Sequence, residues 1–217
     1  MMLISKVFVL TTLAVACACA SAQTVSISVT GRIRPGACIP TLTSDGSFDY
    51  SNISSDALRS NAITQLQEKT ATFAVKCSAP TKVGFRVLDN QPGTAAWVSL
   101  RAAGSDDHPA FGLGTVDGRS VGAYAMTMDS FEADGNLGTG LVSTNGSTWT
   151  SNRITGMGNS ASTLYSIAAA SETVPMAHTT FASVLRVQAS IDRAANLPDL
   201  TSDVLLNGQA TISLVYL

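Results

Sequence analysis

The stretch Ala210-Thr211-Ile212-Ser213-Leu214-Val215-Tyr216-Leu217 carries the chain to its last residue. Ala210, Ile212, Leu214 and Tyr216 alternate with Thr211, Ser213, Val215 and Leu217. A period of two marks a β-strand that buries one of its faces. Termini usually fray, which makes a strand reaching the terminal carboxylate unusual. A second alternating segment stands near the other end, where Val25, Ile27, Val29 and Ile33 alternate with Ser26, Ser28, Thr30 and Arg32. It lies ahead of Cys38, so the fold can spare it. Together the two segments predict a subunit that gives a strand to one neighbour and takes one from another.

Between these ends the same signal recurs. Phe48, Tyr50 and Ile53 give a short alternating run, and Ala71, Phe73, Val75 and Cys77 share one face of a strand over residues 70–79. Val83, Phe85 and Val87 follow Pro80 and stop at Asp89-Asn90-Gln91-Pro92-Gly93, a strong turn signal. Residues 55–67 read as a helical turn or irregular loop anchored by Leu58, Ile63 and Leu66. Glycine breaks the middle into short strands over 97–100, 111–116, 121–128 and 140–144, with Asp117-Gly118 marking a tight hairpin. Residues 180–191 place Phe181, Ser183, Leu185, Val187 and Ala189 on one face, and Asn196-Leu197-Pro198-Asp199 turns the chain. Short strands about every ten residues, with no amphipathic helix, predict an all-β sandwich.

The first 22 residues read as a secretory signal: Lys6, an apolar run over 7–16, and Ala20-Ser21-Ala22 as a small-residue cleavage site. Ala14-Val15-Ala16-Cys17 loosely matches a lipoprotein box but lacks its leucine. An exported chain then begins at Gln23, with 23–34 as an extension and 35–217 as one domain. Charged residues make up 13% of the chain, and the net charge is −2. Nucleic-acid binding needs a concentrated basic face, which this composition does not supply. Cys17 and Cys19 leave with the signal, so Cys38 and Cys77 remain as the pair for one disulfide. Metal or redox chemistry would want a CxxC or neighbouring histidines, and neither accompanies them.

Other chemistry is thinly signalled. Asp106-Asp107-His108 is a poor metal site without a second cluster, and no GxSxG elbow supports a Ser-His-Asp triad with His108 or His178. Gly112-Leu113-Gly114 and Gly156-Met157-Gly158 do not lead from a strand into a helix, as phosphate loops do. Glu132 and Asp134 read as a hydrated turn rather than paired carboxylates. Trp97 and Trp149 suit packing better than sugar stacking. No catalytic residue, metal or cofactor is expected, and the chain is expected not to be an enzyme.

The arrangement as a whole resembles fimbrial subunits of the chaperone–usher pathway. The resemblance rests on the signal peptide, the front segment, Gly36-Ala37-Cys38, a second cysteine in Phe73-Ala74-Val75-Lys76-Cys77, and a last strand with penultimate Tyr216. Phe111-Gly112-Leu113-Gly114-Thr115 and Gly122-Ala123-Tyr124 look like a domain-of-unknown-function branch of such fimbrial-like proteins. The resemblance implies an incomplete immunoglobulin-like sandwich whose missing strand leaves an apolar groove. A periplasmic chaperone fills the groove first, and at an outer-membrane usher the front segment of the next subunit replaces it. Carried over, Val25, Ile27, Val29, Gly31 and Ile33 are the donor strand. Ala210, Ile212, Leu214, Tyr216 and Leu217 form the acceptor and chaperone-binding edge. The implied function is a structural subunit of a surface fimbria contributing to adhesion, with partners in the chaperone, the usher and neighbouring subunits. The alternative is a secreted carbohydrate-binding sandwich or tip adhesin. The long glycine-rich middle departs from commoner pilins and leaves strand order there open.

Overall fold

The computed structural model describes residues 25–32, 37–96, 110–151, 154, 156–158 and 160–217. The segment read as a signal peptide, Ile33, the connection over 33–36, Trp97 with the strand expected at 97–100, and Asp106-Asp107-His108 lie outside the described residues. The chain divides into two units, Met1–Arg34 and Pro35–Leu217. In the first unit, residues 25–32 belong to no strand. Their apolar positions are bare: Val25, Ile27 and Val29 are 90%, 87% and 92% exposed.

The second unit is built from antiparallel strands. These are β1 (Cys38–Leu42), β2 (Thr64–Gln65), β3 (Lys69–Thr81), β4 (Val83–Asp89), β5 (Phe111–Gly112), β6 (Thr115–Val116) and β7 (Arg119–Ser120). They continue with β8 (Gly122–Ala133), β9 (Asn136–Ser143), β10 (Thr150–Ser151), β11 (Leu164–Ala169), β12 (His178–Ile191) and β13 (Ala210–Tyr216). Among the described residues, helix is confined to short 3-10 turns such as Ser55–Ala57 and Ala194–Asn196.

One ladder runs β1-β3-β12-β8-β9-β11-β4-β13, with β2, β5 and β10 attached at its sides and β6–β7 forming a separate hairpin. The β8–β9 hairpin divides this ladder into two layers. Its arms pair only at the tip, Glu132 with Leu137 and Ala133 with Asn136, and then part. β8 goes on along β12, while β9 goes on along β11. The turn at the tip, Asp134-Gly135, has positive φ at both residues, as a two-residue primed turn demands. Asp117-Gly118 joins β6 to β7 in the same way, as its sequence predicts.

The core lies between the layers. Ala71, Phe73, Val75 and Cys77 point inward from β3, and Phe181, Ser183, Leu185, Val187 and Ala189 from β12. Val83, Phe85 and Val87 answer them from β4. Phe73 and Phe85 meet across the sandwich with ring centroids 5.2 Å apart, and Phe85 stacks on Tyr165 at 5.7 Å. Each fully buried side chain of this size contributes roughly 1.5–3 kcal/mol of transfer free energy. The all-β sandwich expected from the alternation is the fold observed.

Some elements differ from expectation. Phe48, Tyr50 and Ile53 form no strand: residues 47–53 are an irregular strap that lays Phe48 and Tyr50 against the core. The strand over 121–128 continues to Ala133, and the next begins at Asn136 rather than 140. β11 was not anticipated. Leu164, Tyr165, Ser166, Ile167 and Ala168 are all buried, so this inner strand shows no polar face to betray it.

Candidate functional site

β1 and β13 are the two ends of the ladder, and they border the place where the sandwich stays open. β13 pairs with β4 on one side, Ile212 opposite Val87, Leu214 opposite Phe85 and Tyr216 opposite Val83. Among the described residues no strand pairs with its other side. β1 pairs with β3 from Cys38–Cys77 to Leu42–Phe73 and likewise has no strand on its outer edge. Seven antiparallel steps separate the two edges along the ladder, so β1 and β13 run in opposite senses. A strand laid between them must be parallel to one and antiparallel to the other.

A cavity of about 710 Å³ lies along this opening. Pro40, Thr41 and Leu42 of β1 form one wall, and Ala210 and Ile212 of β13 form the other. Its floor is the core itself, where Phe73, Met126, Leu185 and Val187 show through. Gly208 lets the chain enter β13 tightly: a Cβ there would stand 2.8 Å from the Tyr124 ring. The inward residues of β13 are only half-buried. Ala210, Ile212 and Leu214 pack against the core yet keep part of their surface open.

Tyr216 departs from that face. It is 54% exposed, and its hydroxyl accepts a hydrogen bond from the Cys38 backbone N–H at 3.0 Å. This bond ties the end of β13 to the start of β1 and closes the opening at that end. The Leu217 N–H carries the ladder one step further by donating to the Lys82 carbonyl at 3.1 Å, with its side chain over Gly84. Cys38 and Cys77 form a disulfide across the β1–β3 pair, with Cα atoms 3.9 Å apart. The first strand is therefore stapled to the sandwich at the closed end of the groove.

The 3-10 turn Thr43–Gly46 and the strap over 47–53 form the rest of the rim. Ser44, Asp45 and Gly46 all have positive φ, as does Ser51, which bends the strap back over the groove. Phe48 lies on the groove wall beside Tyr50. The Tyr50 hydroxyl donates to the Val187 carbonyl and accepts from the Ala189 N–H, both at 3.3 Å. It bridges the gap in the β12 ladder between β2 and β3. Burial, more than the nearby Glu68 charge, pushes this phenol above its ordinary range. The Lys69 ammonium sits 5.3 Å from the ring centroid. On the opposite wall, burial and the Asp89 charge push the Tyr124 phenol far up, so both groove phenols stay neutral.

The other sequence candidates are also placed. Glu132 is exposed and Trp149 half-buried. Leu113 and Met157, between their glycines, are buried, and the Gly112 N–H is already taken by the Asp89 carboxylate at 3.0 Å. Among the described residues no group of three or more His, Cys, Asp or Glu side chains is placed to hold a metal ion.

Two charged clusters were invisible in the sequence. Arg186 binds Asp129 through Nε at 2.6 Å and Glu68 through Nη1 at 3.0 Å on the outer face of the β3–β12–β8 layer. His178 lies between two carboxylates, with Nδ1 3.0 Å from Asp134 and Nε2 2.9 Å from Glu172. Asp134 could have been found through its Asp-Gly turn, but nothing in the sequence joins it to a histidine 44 positions away.

Comparison with known proteins adds family context. A family model described as "Protein of unknown function (DUF1120)" matches residues 27–125. The chain is 27% identical to Protein GltF of Escherichia coli (strain K12), over 88% of this chain and 87% of that protein. It is 28% identical to Uncharacterized protein YhcF of the same strain, over 89% and 90% respectively. The match begins inside the front segment and runs through β8 as far as Ala125. None of these descriptions mentions a fimbria, a chaperone or an usher.

Proposed function

We propose that the chain is a non-enzymatic structural subunit of a surface fimbria of the chaperone–usher type, exported through the periplasm and assembled by donor-strand exchange. The carrying observation is the groove between β1 and β13, an apolar-floored opening of about 710 Å³ bounded by two strands whose outer edges meet no strand among the described residues. An unpaired strand edge beside an apolar cavity is an aggregation hazard, so in this reading the subunit takes a strand from elsewhere. Addition of an extended segment is the recognition mode that fits, with backbone bonds giving affinity and alternate side chains giving specificity.

The chain also carries a matching segment. Val25, Ile27 and Val29 are bare and spaced by two, and Gly31 and Ile33 extend the same face in sequence. In this reading they are the donor of the next copy, and Ala210, Ile212, Leu214, Tyr216 and Leu217 are the acceptor edge. Three or four apolar side chains at roughly 1.5–3 kcal/mol each, with a backbone ladder, make a tight contact. A chaperone would hold the same edge before assembly, and the usher would oversee the exchange.

Ile27→Asp tests the proposal. The side chain is exposed in its own unit, so the variant is expected to fold normally yet fail to polymerise, as read by loss of heat-resistant ladders on electrophoresis. Ladders of wild-type length would remove Ile27 from the donor contact.

A further inference from the structure

We propose that His178 is a proton-dependent clamp that fastens the β11–β12 connection to the β8–β9 turn, holding while its ring carries both protons and releasing when one leaves. This stands apart from the groove and from any strand it accepts.

The geometry sets the protonation state. Nδ1 lies 3.0 Å from an Asp134 oxygen and Nε2 lies 2.9 Å from a Glu172 oxygen. A neutral imidazole has one N–H and one lone pair, so it can donate to one carboxylate only and must turn its lone pair on the other. Two ionised carboxylates at hydrogen-bond distance therefore call for an imidazolium. Both are otherwise committed as acceptors. Asp134 Oδ1 takes the N–H groups of Thr179 at 2.8 Å and Thr180 at 2.9 Å, and Glu172 Oε2 takes that of Ala169 at 2.7 Å.

The three residues come from three segments: the β8–β9 turn, the β11–β12 connection and the first position of β12. Two other neighbours of the ring are uncharged, and Lys82 stands one residue beyond the first of them. Thr81 of β3 pairs with His178, and Phe181 meets the ring edge-on at 5.8 Å. The next charges by register are Lys76 on β3, opposite Thr180, and Glu132 on β8, opposite Ala182. Pro175 is the one buried residue over 173–177, while Val174 and Met176 are 48% and 42% exposed. Polar ties at Ala170 and Glu172 thus do much of the fastening, with the Ala170 N–H on the Leu137 carbonyl at 3.1 Å.

The pH window follows from the signs. Partial burial opposes the charge on His178, but the bonds to Glu172 and Asp134 outweigh it and hold the ring above its ordinary 6.5. A raised folded-state value means the clamp is complete below the unfolded value and is lost as pH rises through the folded one. Burial likewise opposes ionisation of Asp134 and Glu172, yet the His178 and backbone bonds hold both below their ordinary range. Their share is lost only as pH falls through those lowered values. The clamp holds between the two limits.

The test is a pH titration of the full-length chain with 15N-labelled histidine, alongside amide-exchange protection of residues 169–172. The expected result is a doubly protonated His178 ring at pH 6.5 that titrates above it. Protection should fall in step, about tenfold for each unit by which the folded value exceeds the unfolded one. His178→Gln should flatten that dependence while leaving protection in β12 intact. A ring neutral at pH 6.5, or protection equally pH-dependent in His178→Gln, would overturn the proposal; the wild-type ring titration decides it even if the variant does not fold.

Discussion

Tyr50 shows how one hydroxyl can hold an irregular segment in place. Its oxygen satisfies both the Val187 carbonyl and the Ala189 N–H where neither β2 nor β3 reaches β12. Tyr50→Phe keeps the ring over the core but strands a backbone donor and an acceptor, each of which costs about 1–3 kcal/mol when it cannot reach water. The variant is expected to lose roughly 2–6 kcal/mol in urea unfolding, with faster amide exchange at Ala189; an unchanged midpoint would show that water replaces the hydroxyl. Legibility at this scale was uneven. Cys38 and Cys77 could be paired by elimination, once Cys17 and Cys19 are assigned to a cleaved signal. Tyr216 was found as a position but not as a bond, because its hydroxyl partner lies 178 residues away. Arg186 left no trace and His178 stood out only as a residue type, since each depends on carboxylates that only the fold assembles.

At the scale of elements, the first strand is held by what flanks it. β1 is five residues long and, among the described residues, pairs with a strand on one side only, so its pairing with β3 and the disulfide hold it. Closing a loop with a sequence separation of 39 stabilises the fold by about 4 kcal/mol in the chain-entropy model. Replacing Cys38 and Cys77 by serine is expected to cost about that much in denaturant unfolding, and to raise amide exchange in β1 before the rest of the sandwich. A loss below about 1 kcal/mol would mean that the pairing alone holds β1. The strands legible in advance were those with one wet face: β3, β4, β12 and β13 show the period of two. β11 lies between β9 and β4 and is buried on both faces, so its sequence has no period to read. The strap over 47–53 misled for the opposite reason. Phe48 and Tyr50 do point the same way, but they do so from an irregular chain bent by left-handed residues at Ser44, Asp45 and Ser51.

For the whole molecule, the decisive feature is that the ladder nearly closes. Its two end strands among the described residues are β1 and β13, and they lie on either side of a cavity floored by core residues. The sandwich class was legible from strand spacing and turn residues. The strand order was not, because hairpin, crossover and layer exchange leave the same local pattern. It took the two-pair contact at the tip of β8–β9 to show where one layer becomes the other. On the proposed reading, the domain gains stability when the front segment of another copy fills this opening. The most direct test is a thermal melt of residues 35–217, with and without an excess of a synthetic peptide of residues 23–34. A ligand that binds only the folded state at a hundred times its dissociation constant adds about 2.7 kcal/mol, so the melting temperature is expected to rise by several degrees with peptide. A high melting temperature that the peptide leaves unchanged would contradict the proposal and show the sandwich to be complete without a donated strand.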